Sequence, residues 1–172
     1  MPVTYRLLAR SAIACCFGTA VVVVAATEPQ VLASRPDEAA IRSLIAAYAR
    51  SIDAADTRLA STIWAAAPDV SFIHPRGHEH GWAAIKTKFY EQTMAQSFSE
   101  RKLSVKDVAV SCHGDAAWAE FYWDFAAKLR TDGSSVATHG RETQVYRKLD
   151  GAWRLVHVHY SGMPVTGERQ GF

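Results

Sequence analysis

The side chains best suited to chemistry lie in the last third of the chain, where acids, amides and imidazoles alternate with apolar residues. Glu142 and Gln144 stand two positions apart in one segment, and a second such pair, His157 and His159, follows in the next. Side chains two positions apart on a β-strand point to the same face, so each pair would project together. A carboxylate that holds one imidazole nitrogen leaves the other free to accept or donate a proton.

This pattern predicts proton transfer with His159 as the base and Glu142 as the group that orients it. His157 or Gln144 would then stabilise an enolate. A structural ion pair between the acid and the imidazole would leave the same pattern in the sequence, so the residues alone leave both interpretations open.

Three long strands are predicted to carry these residues, over residues 116–129, 135–148 and 152–163. Two Asp-Gly pairs separate the strands, and this dipeptide is typical of two-residue hairpin turns. A turn of fixed length fixes the register of the strands that it joins. The sequence therefore predicts cross-strand neighbours as well as strands.

The resulting register places Glu142 opposite both His159 and Trp123. By the same count, the other cross-strand pairs are Gln144 with His157 and with Phe121, Tyr146 with Leu155, and Asp124 with Arg141. One face would be apolar at one end and polar at the other, as in a small-molecule pocket. Four of the predicted ligand-binding residues lie on this face: Phe121, Trp123, Gln144 and Tyr146. The other two are His74 at its rim and Trp82, which would face the core from a helix and could stack a ligand.

The segment before these strands is predicted to be largely helical. Apolar residues recur at helical spacing from Ile41 to Ile52, in a helix that starts near Pro36 with Ser34 or Asp37 as its cap. The elements predicted after it are a helix over 57–66, a strand over 69–74, a polar loop over 75–81, a helix over 82–94, and a strand over 102–112 with a β-bulge near Lys106 and Asp107. Helices followed by a meander of long strands indicate an α+β fold.

A second group of histidines lies around the predicted polar loop. His74, His78, Glu79 and His80 belong to this group. Together with the two histidines of the last strand they could bind zinc or iron, since both metals accept imidazole and carboxylate ligands. The spacing is not that of a known metal motif, so no metal or other cofactor is expected, and a histidine-rich metal-binding protein is kept as an alternative.

Residues 1–33 are predicted to be a signal peptide and linker, and residues 34–172 one domain. Two arginines precede an apolar run over residues 11–26, and small residues offer cleavage after Ala26 or Ala33. The run is shorter than the roughly 20 residues that a membrane helix needs. The mature protein is therefore expected in the periplasm or outside the cell, with no membrane contact after cleavage.

Charge and cysteine content argue against a nucleic-acid-binding protein and against a disulfide-stabilised domain. The net charge of +2 includes no basic stripe, so no nucleic-acid partner is expected. Cys112 is the one cysteine outside the predicted signal peptide, and the mature chain can therefore form no internal disulfide. Its apolar surroundings predict a small core residue.

Two segments resemble a known family. GDAAWAEFYWDF (114–125) and HGRETQVYRKLDGAWRLVHVHYSG (139–162) resemble the SnoaL-like branch of the nuclear transport factor 2-like superfamily. They resemble in particular the association domain of calcium/calmodulin-dependent kinase II and its bacterial relatives. The resemblance implies a cone-shaped α+β fold, a curved antiparallel sheet packed on N-terminal helices and a pocket at the open end. It also implies homodimers or larger oligomers joined through the outer sheet face, where Trp118 and Tyr122 would be exposed.

The resemblance leaves the activity open, because this superfamily includes isomerases, cyclases, dehydratases and proteins without known catalysis. The pocket arginines of the association domain correspond to Trp123 and Gln144, so its arginine-based capture of acidic ligands is not expected. Asp53 and Asp56 would be acids by analogy with ketosteroid isomerase-like relatives, or helix caps. The preferred hypothesis is an exported domain that binds a small organic molecule, with isomerase- or dehydratase-like proton transfer if it is an enzyme. A non-catalytic assembly module is the second hypothesis.

Overall fold

A curved six-stranded sheet and its covering helices make up the part of the chain that the computed structural model describes, residues 34–163. The elements in chain order are α1 (Ser34–Ala54), α2 (Thr57–Ile63), β1 (Ser71–His74), β2 (Gly77–His80), α3 (Gly81–Ala84), a π-helical segment (Ile85–Ala95), β3 (Phe98–His113), β4 (Ala116–Leu129), β5 (Ser135–Leu149) and β6 (Ala152–Gly162). The strand order is β2-β1-β6-β5-β4-β3, with only β1 and β6 parallel. The α+β prediction is confirmed, whereas the predicted signal peptide and linker lie outside the described residues.

Helix α1 forms the floor of the core beneath the sheet. Its residues Ile41, Ile45, Tyr48 and Ile52 are all buried, as the helical spacing predicts. Asp37 lies in the first turn, where its Oδ1 accepts hydrogen bonds of 2.8 Å from Lys148 Nζ and Trp153 Nε1. These bonds tie the start of α1 to the β5–β6 hairpin.

No helix within residues 34–163 is long and apolar enough to cross a membrane.

The two aspartates at the C-terminal end of α1 and just beyond it have structural roles. Asp56 is the N-cap of α2, and its Oδ1 accepts the backbone N–H groups of Arg58 and Leu59 at 2.9 Å. Asp53 Oδ1 accepts the backbone N–H of Leu103 at 2.6 Å. The cap interpretation is confirmed for Asp56.

The third helical region begins as α3 and continues as the π-helical segment. Its buried residues are Ile85, Phe89, Tyr90 and Met94, a spacing of four to five that suits the wider π-turn. Arg101 on β3 donates to the backbone carbonyls of Ile52, Asp53, Met94 and Phe98. This guanidinium therefore joins the end of α1, the end of the π-helical segment and β3.

The prediction of a polar loop over residues 75–81 is wrong, because part of it forms β2, an edge strand paired with β1. Its side chains alternate as in an edge strand, with Glu79 buried between the exposed His78 and His80. The Glu79 carboxylate lies 2.7 Å from Lys88 Nζ and 3.8 Å from His74 Nε2, so the buried charge has partners.

The β4–β5 connection differs from the predicted two-residue turn, since five residues, 130–134, separate the strands. The register therefore moves by two positions, which changes cross-strand partners but keeps each side chain on its face. Trp123 lies opposite Gly140, and Phe121 lies opposite Glu142. The predicted pairs of Trp123 with Glu142 and of Phe121 with Gln144 are wrong. The pair of Asp124 with Arg141 is also wrong: Asp124 lies opposite His139 and forms an ion pair of 2.7 Å with Lys106.

The β5–β6 turn is the predicted two-residue turn. Asp150 and Gly151 both have positive φ, 50° and 78°, and Leu149 pairs with Ala152. The predicted bulge in β3 is likewise confirmed, between Lys106 and Ala109.

A second bulge, which the sequence reasoning missed, decides the face of the last histidines. Tyr146 pairs with Leu155 as predicted, but the preceding residue, Val145, pairs with His157, so Val156 is an extra residue in β6. One extra residue reverses the alternation of everything after it. The predicted pairs of Glu142 with His159 and of Gln144 with His157 are therefore wrong.

Candidate functional site

An open cavity of about 430 Å³ lies between the inner face of the sheet, α1 and the π-helical segment. Most of its wall is apolar and is formed by Ile52, Phe89, Met94, Phe98, Leu103, Trp123, Phe125 and Val136. A few polar groups interrupt this wall, chiefly Tyr48, Glu142 and Tyr160. An apolar cavity with a few convergent polar groups is the usual form of a site for a small organic molecule.

Glu142 is the acidic group of the cavity. It is only 5% exposed, and its Oε1 accepts a hydrogen bond of 2.6 Å from Gln144 Nε2. Gln144 Oε1 in turn accepts the hydroxyl of Tyr146. These three side chains belong to every second residue of β5 and therefore share its inner face, so the strand itself aligns them. This chain of hydrogen bonds holds the Glu142 carboxyl in one orientation in the cavity wall.

Burial raises the pKa of Glu142 from 4.5 to about 8, because the cavity disfavours the charged form. Hydrogen bonds from Gln144 and Tyr48 act in the opposite direction and are weaker than the effect of burial. Near neutral pH this carboxyl is therefore mostly protonated, with an accessible ionised form. Such a group can both donate and accept a proton.

Tyr160 lies beside Glu142 because the bulge in β6 turns it inward, opposite Glu142 in the β5–β6 ladder. Its ring meets Trp123 edge-on at a centroid distance of 5.5 Å. Burial, and then the nearby Glu142 carboxylate, raise the pKa of Tyr160 to about 12, so its hydroxyl remains a donor. Sequence reasoning missed this residue, although Val158 and Tyr160 are more apolar than the histidines that precede each of them.

His74 lies behind the cavity wall. Its ring stacks on Tyr160 at 6.1 Å and contacts Phe89 at the same centroid distance. Burial lowers the pKa of His74, while Glu79 acts to raise it. This neutral imidazole supports two wall residues and does not itself line the cavity.

The other predicted ligand-binding residues divide between the wall and its support. Trp123 lines the cavity directly, whereas Gln144 and Tyr146 lie behind Glu142. Phe121 on β4 is buried opposite Glu142 on β5, and Trp82 stacks on Trp64 at a centroid distance of 6.4 Å. The structure thus brings Trp123 and Glu142 to one cavity and leaves Trp82 outside it.

The predicted catalytic histidines face away from this cavity. His157 and His159 lie on the outer face of the sheet, where His157 Nδ1 is 2.8 Å from Ser71 Oγ. His159 lines an outer groove of about 470 Å³ with polar neighbours that include Glu120, Tyr122 and Arg141. Across residues 34–163, no three His, Cys, Asp or Glu side chains are arranged to hold a metal ion.

Comparison with known proteins places the chain in a family. The SnoaL-like domain model matches residues 41–166. A nuclear transport factor 2-like superfamily protein from Salmonella enterica serovar Typhimurium is 43% identical, covering 81% of this chain and 99% of its own, with a TM-score of 0.79. No curated protein matches the chain.

Two more distant structures share the fold. One is a protein designated a dehydratase, from Streptomyces avermitilis, with 22% identity, coverage of 74% and 97% of the two chains and a TM-score of 0.66. The other is designated a calcium/calmodulin-dependent protein kinase II association domain, from Xanthomonas campestris, with 19% identity, coverage of 73% and 87%, and a TM-score of 0.62. The match over most of the chain and the 43% identity confirm the resemblance drawn from the sequence, and the chain belongs to the SnoaL-like family of the nuclear transport factor 2-like superfamily.

Proposed function

We propose that this protein is exported, binds a small organic molecule in the inner cavity and catalyses proton transfer with Glu142 as the acid–base group. The observation that carries the proposal is a buried carboxyl in the cavity wall whose pKa is about 8. Enzymes raise carboxyl pKa values toward the working pH by such burial. Glu142 thereby takes the role that the sequence suggested for His159.

The chemistry follows from the position of the carboxyl in an apolar wall. Its ionised form would remove a proton from a carbon next to a carbonyl, and the electron pair would form an enolate. Isomerisation would return the proton to another carbon, whereas dehydration would transfer it to a departing hydroxyl and release water. The relative designated a dehydratase has the same fold, which is compatible with the second outcome.

Proton abstraction by Glu142 can be tested without the natural substrate by using 5-nitrobenzisoxazole. A base removes the C3 proton of this planar compound, its N–O bond breaks, and a coloured nitrophenolate forms. Wild-type protein should accelerate the reaction, and Glu142→Gln should lower kcat/KM at least about a hundredfold, the usual contribution of a positioned base. Turnover by the wild type should rise with pH around a midpoint of about 8.

The matched control is Glu120→Gln, which removes a carboxylate from the outer groove. This variant should keep wild-type turnover. Equal rates for wild-type protein and Glu142→Gln, or a loss of turnover in Glu120→Gln alone, would contradict the proposal.

The outer face of the sheet supports a further proposal, that two copies of the chain form a homodimer. Trp118 and Tyr122 on β4 are 41% and 40% exposed, and two-fold symmetry would bring these side chains against the same face of a second copy. Large aromatic residues of this kind dominate binding at protein interfaces.

Replacing both aromatic residues by glutamate should raise the dimer dissociation constant at least about thirtyfold. Size-exclusion chromatography with light scattering would measure this, with Ala126→Glu on the same face of β4 as the control. A wild-type protein that is monomeric at every concentration would disprove the dimer.

A further inference from the structure

A single arginine lies at the mouth of the inner cavity. Arg76 follows Pro75 in the turn between β1 and β2, and both residues line the cavity. The other ionisable lining residues, apart from the two tyrosines, are Glu142 within the wall and His139 in the first part of β5. The cavity therefore has an acid in its wall and a permanent cation at its entrance.

The Arg76 guanidinium is available to a ligand. Among the described residues, no carboxylate lies within 4.0 Å of it. Its charge acts on the Tyr160 hydroxyl in the cavity wall and opposes the rise in the pKa of that group. An arginine presents a planar fork of donors that matches a carboxylate or sulfonate.

The charge of Arg76 is not balanced from inside the cavity. The Glu142 carboxyl is mostly protonated near neutral pH, since burial raises its pKa to about 8. Most of the remaining wall is apolar. The cavity thus presents a net positive charge at the opening of an apolar chamber.

We propose that the ligand is an organic anion whose acidic group pairs with Arg76 while its apolar body fills the cavity. This inference rests on the proposed use of the inner cavity and adds the chemical class of the ligand. A ligand bound in this way has its orientation fixed, because the anion stays at the entrance. The reacting carbon is then carried toward Glu142.

Two matched dyes test the proposal. 8-Anilinonaphthalene-1-sulfonate and N-phenyl-1-naphthylamine differ only by the sulfonate group, and both fluoresce in apolar sites. Arg76→Gln should weaken binding of the sulfonate dye about tenfold, as expected for loss of a charged hydrogen bond, and leave the neutral dye unaffected. Arg141→Gln removes the same charge from the outer groove and should change neither affinity.

The outcomes separate this inference from the proposed function. Unchanged binding of the sulfonate dye to Arg76→Gln overturns the inference, even if Glu142→Gln abolishes turnover of 5-nitrobenzisoxazole. If Arg141→Gln, and not Arg76→Gln, weakens binding of the sulfonate dye, the inference is likewise overturned, because the anion site would then lie in the outer groove. Loss of sulfonate binding in Arg76→Gln supports it, whether or not Glu142 proves to be the base.

Discussion

The Glu142→Gln variant is expected to gain stability relative to the wild-type protein as the pH rises from about 4 to about 9, by on the order of 4 kcal/mol. The cause is the burial that raises the pKa of the Glu142 carboxyl from 4.5 to about 8. Glutamine keeps the oxygen that accepts the hydrogen bond from Gln144 and cannot ionise. The comparison therefore isolates the ionisation of one group.

The direction follows from the protons that each state binds. Below the ordinary pKa of 4.5 the carboxyl is protonated in both the folded and the unfolded chain, so burial carries no electrostatic penalty. Between 4.5 and about 8 the unfolded chain releases the proton while the folded chain keeps it, and the free energy of unfolding falls. Above that range both states are ionised and the loss is complete.

Urea unfolding of the wild type and the variant across this pH range would measure the difference. Glu120→Gln, which alters an exposed carboxylate, should show a pH dependence parallel to the wild type. A constant difference between Glu142→Gln and the wild type would mean that the Glu142 carboxyl titrates normally. The buried acid–base group of the proposed function would then be lost as well.

Much of the fold could be predicted because its signals are periodic. The apolar spacing of α1 and the Asp150-Gly151 turn each specify local geometry, and both predictions are confirmed. The face of each β4 and β5 residue was also predicted, although the loop between the strands is longer than two residues. An error of two residues in the register leaves each side chain on the same face of the sheet. Trp123 and Glu142 were therefore placed on one face although their predicted cross-strand partners were wrong.

The site itself could not be fully predicted, because the bulge at Val156 decides which side chains of β6 face the cavity. Val156 is as suitable for an alternating strand as its neighbours, so nothing at that position marks an extra residue. The available signal is a change of phase: apolar residues occupy positions 153 and 155, then 158 and 160. A strand that keeps its apolar residues inside must therefore gain a residue between Leu155 and Val158. His159 consequently faces outward, and Tyr160 reaches the cavity.

The same region of the sheet yields a second large effect, at a glycine beneath the cavity wall. Gly140 lies between Trp123 on β4 and Gly162 on β6. A Cβ added to Gly140 would lie 2.0 Å from the backbone oxygen of Ser161 and 2.5 Å from the Trp123 ring. The carbonyl cannot retreat without breaking the pairing of β5 with β6, so the strain cannot be relieved by a side-chain rotation.

Gly140→Ala is therefore expected to destabilise the fold by about 3 kcal/mol or more, at the upper end of the range for overpacked sites. Gly162→Ala is a matched control in the facing strand, because a Cβ there meets nothing within 4 Å. Urea denaturation at one pH would compare the two variants. Similar stabilities would show that β5 and β6 separate easily at this end.

The glycine also sets the position of the cavity wall. Because Gly140 has no side chain, the Trp123 indole can lie against the backbone of β5 and border the cavity space that Tyr160 also lines. A methyl group at position 140 would push the indole toward that space. If enough folded Gly140→Ala protein can be prepared, its affinity for N-phenyl-1-naphthylamine should fall about tenfold, since displaced aromatic atoms would fill part of the cavity. Unchanged affinity would show that Trp123 does not depend on Gly140 for its position.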